Sequence, residues 1–179
     1  MTTPPRRTQA ARREATVTAV VEATVDALGE IGYARTTTNE IARRAGISQG
    51  GLFRHFESRL DVIVAAADGV RARQLVDFRA ALEQMTQFDL AEVIRLLRRA
   101  TRAPINAAWY ELLVAARTDA DLHVRLAPMV ARYHDEIIEL GRALPLSTTM
   151  SEVELDTMIL GVVHLLDGEA LAATLHPPP

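Results

Sequence analysis

Residues 36–59 concentrate side chains suited to surface hydrogen bonding: hydroxyl, amide, imidazole and guanidinium groups, interrupted by Gly50 and Gly51. Their spacing offers neither a nucleophile beside a base nor a set of metal ligands, so their chemistry is donating and accepting hydrogen bonds. Gln49 can form paired hydrogen bonds to the edge of an adenine. The remaining polar groups suit phosphate oxygens, contacts that fix orientation but carry no base information.

Two short helices joined by a tight turn must position these groups. Thr37 and Glu40 have the spacing of a capping box, in which the hydroxyl accepts from the Glu40 N–H and the carboxylate reaches back to the Thr37 N–H. A helix is therefore predicted from residue 38, and Gly46 is expected to end it in the left-handed conformation. Ser48 is expected to cap a second helix over about residues 49–55, and Ser58 a third.

The paired glycines of the second helix indicate its purpose. Each costs up to ~1 kcal/mol relative to alanine in a helix, so a helix used only for packing would rarely carry both. Without side chains at Gly50 and Gly51, a nucleic-acid backbone or base edge can come close. Leu52 and Phe56 share one face and are expected to point inward. Such a helix can lie in a major groove with its first residues against the bases; the alternative is a plain helical hairpin in a bundle.

This segment resembles the DNA-binding domain of the TetR family of bacterial repressors. About fifty residues carry the resemblance, in the run Gly32-Tyr33, Thr36-Thr37, Ile41-Ala42, Ala45-Gly46-Ile47-Ser48, Gly50, Leu52-Phe53, His55-Phe56 and Ser58-Arg59. The resemblance implies base contacts at Gln49 and Gly50 and phosphate contacts around them. Phe53 replaces a common tyrosine, so one phosphate hydrogen bond would be lost, and Arg59 replaces the usual lysine. The predicted DNA-binding set is Thr37, Thr38, Arg44, Ser48, Gln49, Gly50, Phe53, Arg54, His55 and Arg59.

Charge is distributed unevenly along the 179 residues, although the net charge is only −3. Residues 1–60 hold nine arginines and six acidic residues, whereas the remainder carries a net charge of −6, so one end attracts phosphate and the rest repels it. Arg6, Arg7, Arg12 and Arg13 are predicted to form a basic arm that either follows a minor groove or is a solvated tail. The chain has no cysteine, which excludes disulfides and thiolate-bound metals.

Helical periodicity without alternating runs predicts an all-α fold of about eight or nine helices. Residues 1–57 are predicted to form a three-helix helix-turn-helix domain, and residues 58–179 a helical domain for effector binding and dimerisation. Tyr33 is expected to fasten the joint between the first helix and the motif. A group of arginines at positions 95, 98, 99 and 102 is interpreted as a solvated face paired with acidic residues, rather than as a second nucleic-acid patch.

The last predicted helix, residues 152–175, begins at a second capping box and is apolar almost all round. A helix that is apolar on every side must be buried on every side, and a terminal helix is not easily enclosed by its own chain. We expect a second copy to cover one face, with residues 120–143 completing a four-helix interface about a two-fold axis; the alternative is an internal core helix. The predicted interface comprises Met129, Tyr133, Ile137, Leu155, Met158, Ile159, Val162, Val163 and Leu166.

The resemblance also implies a small-molecule effector among the helices after residue 60. Its binding would tilt the long helix 58–84 and change the spacing of two DNA-reading heads. The residues predicted to line the pocket, for each of which ordinary core packing is the alternative, are Phe78, Leu82, Met85, Phe88, Leu97, Asn106, Trp109, Tyr110, Leu113 and His164. A mostly apolar lining favours a lipophilic or aromatic compound.

The function predicted from these features is a cytoplasmic, ligand-responsive transcriptional repressor. It would bind a palindromic double-stranded DNA operator as a homodimer and be released by its effector. No enzyme activity, cofactor or metal is expected, because the five histidines lack metal-ligand spacing and no catalytic motif appears. No targeting signal or membrane span is recognised. The alternative is a helical dimer that binds a protein or lipophilic ligand, with DNA binding secondary.

Overall fold

Eight α-helices are present in the residues that the computed structural model describes, 9–146 and 149–175. In chain order they are α1 (Gln9–Ile31), α2 (Thr38–Arg44), α3 (Gln49–Leu52), α4 (Arg59–Glu83), α5 (Leu90–Thr101), α6 (Asn106–Ala115), α7 (Ala120–Arg142) and α8 (Glu152–Ala173). The all-α prediction is confirmed. Among these residues, no helix is both long and apolar enough to cross a membrane.

Local capping signals set most helix ends where the sequence predicts them. Gly46 has φ +67° at the end of α2, and the Ser58 hydroxyl accepts from the Asp61 N–H at 3.2 Å at the start of α4. Both bonds of the second capping box form, because Ser151 and Glu154 exchange backbone and side-chain hydrogen bonds. These interactions involve residues three apart in sequence, so the sequence contains all the information they need.

The first capping box is only half formed. The Thr37 hydroxyl accepts from the Glu40 N–H at 3.3 Å, but the Glu40 carboxylate binds Arg43 and Arg44 at 2.6 and 2.7 Å. Charge-assisted hydrogen bonds to two guanidinium groups are stronger than a single hydrogen bond to a backbone N–H. The Glu40 carboxylate therefore binds the arginines instead of the Thr37 N–H. They also lower the pKa of Glu40 to about 2.

Two further corrections concern lengths. Helix α3 ends at Leu52 rather than near residue 55, and Phe53–His55 continue as a hydrogen-bonded turn. A segment with two glycines propagates a helix poorly. At the other end, Arg12 and Arg13 are exposed residues of α1 rather than part of an arm; the predicted arm residues Arg6 and Arg7 lie outside the described residues.

Two clusters of buried side chains share α1 and α4. The smaller cluster joins α1, α2, α3 and the start of α4 through Val20, Ile41, Ala42, Leu52 and Val62. The larger cluster includes Leu28 and Ile63 with residues of α6 and α7. Val62 and Ile63 are neighbours in α4 that belong to different clusters. Helix α4 passes continuously from the small N-terminal unit, the head, into the larger helical body.

Candidate DNA-binding surface and ligand cavity

Helix α3 is anchored on one side and open on the other. Leu52 is fully buried in the smaller core, and Phe56 packs against the same cluster. The Ser48 hydroxyl caps the helix by accepting from the Gly51 N–H at 3.0 Å. On the outer side, Gln49 is exposed and donates from Nε2 to the Thr38 hydroxyl at 3.1 Å. Thr38 therefore holds the amide that the sequence predicts to read a base.

The two glycines of α3 have different surroundings. A methyl group added at Gly50 would meet nothing within 4 Å, whereas one added at Gly51 would lie 3.3 Å from the Ser48 hydroxyl oxygen. The absence of a side chain at Gly51 therefore makes room for the helix cap. No contact inside the protein explains why position 50 lacks a side chain. Gly50 faces outward beside Gln49.

Gly50→Ala is expected to separate folding from binding. The variant should fold at least as stably as the parent, with a gain of up to ~1 kcal/mol from helix propensity, and should weaken operator binding by about 1–3 kcal/mol, the range of one base contact. Thermal unfolding and fluorescence anisotropy with labelled operator measure the two effects. Gly51→Ala is the matched control, because its methyl crowds the cap and should lower stability as well. Unchanged operator affinity in Gly50→Ala would show that DNA does not approach this position.

Several predicted phosphate ligands lie around α3. Phe53 and Arg54 are exposed, and no ion pair to Arg54 is found among the described side chains. Thr37 and Ser48 are exposed hydroxyls already engaged as helix caps. His55 is half-buried, and its Nδ1 has no hydrogen-bond partner in the described part of the chain.

Arg44 has different partners from those predicted. Its guanidinium bonds Glu30 of α1 and Glu40 of α2, each at 2.7 Å, and only 18% of the side chain is exposed. These two carboxylates neutralise it and tie α2 to the end of α1. Its partner Glu30 lies fourteen residues earlier in the chain, in α1, so helical spacing within α2 does not reveal this contact.

Arg59 is also directed into the protein. Its Nε donates to the Thr36 carbonyl at 2.7 Å, another nitrogen donates to the Tyr33 carbonyl, and the guanidinium lies 4.2 Å from the centre of the Tyr33 ring. The Arg59 side chain therefore connects the start of α4 to the α1–α2 loop, whereas the resemblance implied a phosphate contact. Lysine could not make both carbonyl bonds and stack in this way, so the departure from the family pattern has a structural reason.

Tyr33 was predicted to fasten the joint between the first helix and the motif, and its contacts instead connect the α1–α2 loop to the helical body. The Tyr33 backbone N–H donates to the Glu111 carboxylate at 2.6 Å, and its hydroxyl donates to Asp119 at 2.7 Å. Burial, followed by the hydrogen bond to Asp119, raises the pKa of Tyr33 above its usual value. We call Tyr33, Arg59, Glu111 and Asp119 the Tyr33 clamp, because together they connect the head to α6 and to the N-terminus of α7.

A cavity of about 190 Å³ lies among α4, α5, α7 and α8. Of the predicted pocket residues, Phe78, Leu97 and Asn106 line it. The others do not: Trp109 belongs to the larger core, Leu113 borders a separate surface groove, and His164 lies 3.3 Å from His134 on the outside. The remaining predicted residues absent from the lining are Leu82, Met85, Phe88 and Tyr110. Periodicity identifies apolar faces but not which helix covers them, and this is why the predicted lining and this cavity share only three residues.

One end of the cavity is polar, a feature the sequence analysis missed apart from Asn106. Gln74 donates from Nε2 to the Asn106 carbonyl, and Asn106 donates to the Ala100 carbonyl at 2.6 Å. Asp167 lines the same cavity and accepts from the Tyr110 hydroxyl at 2.8 Å. Burial raises the pKa of Asp167. A carboxylate among the apolar residues in the second half of α8, such as Asp167 directly after Leu165 and Leu166, was the available signal.

Most of the predicted interface residues are turned toward the inside of the protomer, although Met158 is 36% exposed. Met129, Ile159, Val163 and Leu166 are buried, and Leu155 is half-buried. The others border the cavity, a group that comprises Tyr133, Ile137, Met158 and Val162. The outer face of α8 carries other residues: Gly161 and Gly168 near its middle, with Leu165, which is 72% exposed, beside them. The apolar stripe used for the prediction was the inner one.

The arginines of α5 form a paired, solvated face, as the sequence indicates. Arg95 and Arg99 bond Glu92 at 2.8 and 3.0 Å. Arg98 bonds Glu169 of α8 at 3.0 Å, and Arg102 bonds the same carboxylate. Each of these arginines has an acidic partner within the body, which is the paired, solvated arrangement that the sequence analysis favours over a second nucleic-acid patch.

Comparison with known proteins places this arrangement in a family. A family model described as bacterial regulatory proteins of the tetR family matches residues 20–66. An uncharacterized HTH-type transcriptional regulator of Mycobacterium tuberculosis is 37% identical over 175 residues, which cover 97% of this chain and 90% of the relative. An HTH-type transcriptional repressor of the same species is 30% identical over 193 residues, covering 99% and 100%.

The fold is shared with proteins of much lower sequence similarity. A crystal structure of a TetR-family transcriptional regulator from Rhodococcus sp. superposes with a TM-score of 0.71 at 19% identity, covering 92% of this chain and 90% of that one. The exposed α3 and its capped, glycine-bearing first turn lie within the segment that the family model matches. The chain is a DNA-binding transcriptional regulator that belongs to the TetR family.

Proposed function

We propose that this regulator is a repressor that binds a palindromic operator as a homodimer and leaves it when a small molecule occupies the cavity. The observation that carries the DNA-binding part is the outer side of α3, where Gln49 is held by Thr38 next to the open position at Gly50. An exposed short helix with its N-terminal residues free suits the major groove. A cytoplasmic location accords with a DNA partner.

The proposed contacts divide into two kinds. Gln49 and Gly50 face base edges, where the amide can donate and accept together. The groups that surround them and can meet phosphate oxygens are Thr37, Ser48, Phe53, Arg54 and His55. Of these, Arg54 contributes a full positive charge, and Phe53 contributes ring packing only. Thr38 acts through Gln49 by holding its side chain.

Gln49→Ala is expected to weaken the cognate operator by about 1–3 kcal/mol and to relax the preference at one base position per half-site. Anisotropy measurements with the operator and with single-base variants would show both effects. Thr38→Val is the matched variant, since it leaves the amide in place but removes its hydroxyl partner, and should cost less. Equal loss of affinity for random DNA in Gln49→Ala would count against base reading.

A dimer is proposed because one α3 reads too few bases for useful specificity. Two recognition helices spaced by one helical turn of DNA, or a multiple of it, read a palindrome. The face proposed to meet the second copy is the outer side of α8 around Gly161, Leu165 and Gly168. Glycines let two helix backbones approach closely, and the flanking leucines supply apolar area.

The route proposed for release runs through α6. Asn106 at its first turn lines the cavity, and Glu111, five residues or about 7.5 Å further along the helix, accepts from Tyr33. A ligand that shifts α6 therefore disturbs the Tyr33 clamp and with it the orientation of the head. The ligand needs only to bind the shifted arrangement better than the operator-bound one.

The test of the proposal is binding to the DNA upstream of the chain's own gene and its neighbours. Specific, salt-sensitive binding to a palindrome with two protomers per site is the expected result. Absence of specific binding across all these regions would instead favour a helical dimer that binds a protein or lipophilic ligand, with DNA binding secondary.

A further inference from the structure

The orientation of the amides at the polar end of the cavity is fixed by a backbone group. The Ala100 carbonyl can only accept, so Asn106 must turn its nitrogen toward it and its carbonyl oxygen toward Gln74. Gln74 must then present its nitrogen to Asn106. Its own carbonyl oxygen is left buried without a hydrogen-bond partner among the residues described. A buried unpaired acceptor is destabilising. Gln74 is one of the residues that line the cavity, so a ligand donor that reached this oxygen would relieve that cost.

A carboxyl group is the acidic group at this end. Among the described residues that line the cavity, Asp167 is the only one that is an Asp, Glu, Arg or His. The Tyr110 hydroxyl lies within hydrogen-bond distance of both Asp167 and the Thr101 carbonyl. Since a hydroxyl has one proton, it cannot satisfy both acceptors fully. The nearest bases, His134 and His164, are in contact with each other outside the cavity, and they act on Asp167 through charge alone.

The remainder of the lining is apolar and sets the size of an occupant. Phe78, Leu97, Ile137 and Val162 are among the side chains that enclose it. An apolar cavity of about 150 Å³ accommodates benzene, so about 190 Å³ accommodates a ring with a short chain. A carboxylate ligand would place a second negative charge beside Asp167 and leave the Gln74 oxygen unpaired.

We propose that the cavity binds a small lipophilic primary amine in its ammonium form, with the N–H groups bonded to the Gln74 carbonyl oxygen and the Asp167 carboxylate and the apolar body among the aliphatic and aromatic side chains. This inference rests on the proposed role of the cavity as the effector site. It assigns the chemical class of the effector: a cation with donors at one end and about nine to ten heavy atoms in all, roughly a phenyl ring with a two-carbon chain.

The test compares four probes of one skeleton by isothermal titration calorimetry on the full chain. They are 2-phenylethylamine, 2-phenylethanol, phenylacetate and phenethyltrimethylammonium. We expect the primary amine to bind about tenfold or more tightly than the alcohol, a difference of 1.4 kcal/mol, and phenylacetate to bind weakest. The quaternary ion carries the charge without N–H donors and should lie below the primary amine. Binding of phenylacetate as tightly as the amine, or no binding of any probe, would overturn the inference.

Two variants locate the binding end. Asp167→Asn keeps the size and an acceptor for Tyr110 but removes the charge, so the amine should fall to the affinity of the alcohol while the alcohol is unchanged. Gln74→Leu removes the free acceptor and should reduce the amine's advantage over the quaternary ion. Amine affinity unchanged in both variants would overturn the assignment; thermal unfolding checks that each is folded, and the four-probe series on the parent chain stands without them.

Operator binding, measured by anisotropy on the same preparations, separates this inference from the proposed function. If operator binding is intact but the amine binds no more tightly than the other probes, the inference about the ligand class is wrong and the proposed function is unaffected. If calorimetry shows amine binding but no specific operator is found, the proposed repressor role is wrong and the ligand class is still supported.

Discussion

Gly161→Arg is expected to convert the regulator into monomers and to abolish specific operator binding. Gly161 lies on the outer face of α8, and a side chain built there meets nothing within 4 Å in the protomer. Arginine also has a higher helix propensity than glycine, so the protomer should fold at least as well. In a dimer, two arginines would meet near the two-fold axis, where closely packed helices leave no room for them and like charges repel.

The expected loss is large because specificity depends on two half-sites. Binding should fall toward the level of non-specific DNA, a decrease of about 10³-fold or more. Multi-angle light scattering gives the mass of the particle, and anisotropy gives the operator affinity. Val76→Arg is the matched control, because Val76 is an exposed apolar residue of α4, away from the outer face of α8. A dimer that persists in Gly161→Arg would show that another surface joins the protomers.

Val162→Arg, one residue further on, should behave differently. Val162 lines the cavity, so its replacement buries a charge inside the body instead of at the outer face. Loss of stability is the expected consequence, since an unpaired buried charge is costly. The contrast between adjacent positions distinguishes the outer and inner faces of α8.

Arg59→Ala is expected to lower the free energy of unfolding by about 2–3 kcal/mol, the usual range for hydrogen bonds made by a charged group. The variant removes the bonds to the Thr36 and Tyr33 carbonyls and the stacking on the Tyr33 ring. Chemical denaturation monitored by circular dichroism measures the loss. Arg59→Lys should recover only part of it, because an ammonium group cannot bridge both carbonyls and stack on the ring.

Arg54→Ala provides the comparison. Arg54 is exposed beside α3, so its loss should leave stability unchanged and reduce the salt dependence of operator binding by about one unit of slope. If Arg59→Ala instead left stability unchanged and flattened the salt slope, Arg59 would be a phosphate ligand as the family resemblance implies. The two arginines therefore test whether the clamp or the DNA is the main partner of Arg59.

The Tyr33 clamp identifies residues that connect the head to the body in this chain. Glu111 and Asp119 reach it from α6 and from the start of α7, while the same α6 carries Asn106 into the polar end of the cavity. In addition, Arg125 of α7 bonds Asp61 in the first turn of α4 at 2.6 Å. The head and the helices around the cavity are thus connected through contacts of α6 and α7, in addition to α4.

The sequence by itself determined the features that depend on residues close in the chain. Gly46 ends α2, Ser58 begins α4, and Ser151 with Glu154 begins α8, because each cap is completed within a few residues. The exposed glycine at the start of α3, and with it the family, were likewise readable from one continuous segment. The pairing of the α5 arginines was predictable in part for the same reason, because Glu92, the partner of Arg95 and Arg99, lies within two helical turns of both.

Only the tertiary structure decided what lies between helices distant in sequence. It directed Arg44 to Glu30 and Arg59 to the Tyr33 loop, turned the main apolar stripe of α8 inward, and placed Gln74, Asn106 and Asp167 around one cavity. Helical periodicity specifies that a face will be covered, but the covering partner depends on the packing of the whole chain. For the same reason, a polar residue's role was predictable only where its partner was a neighbour in sequence.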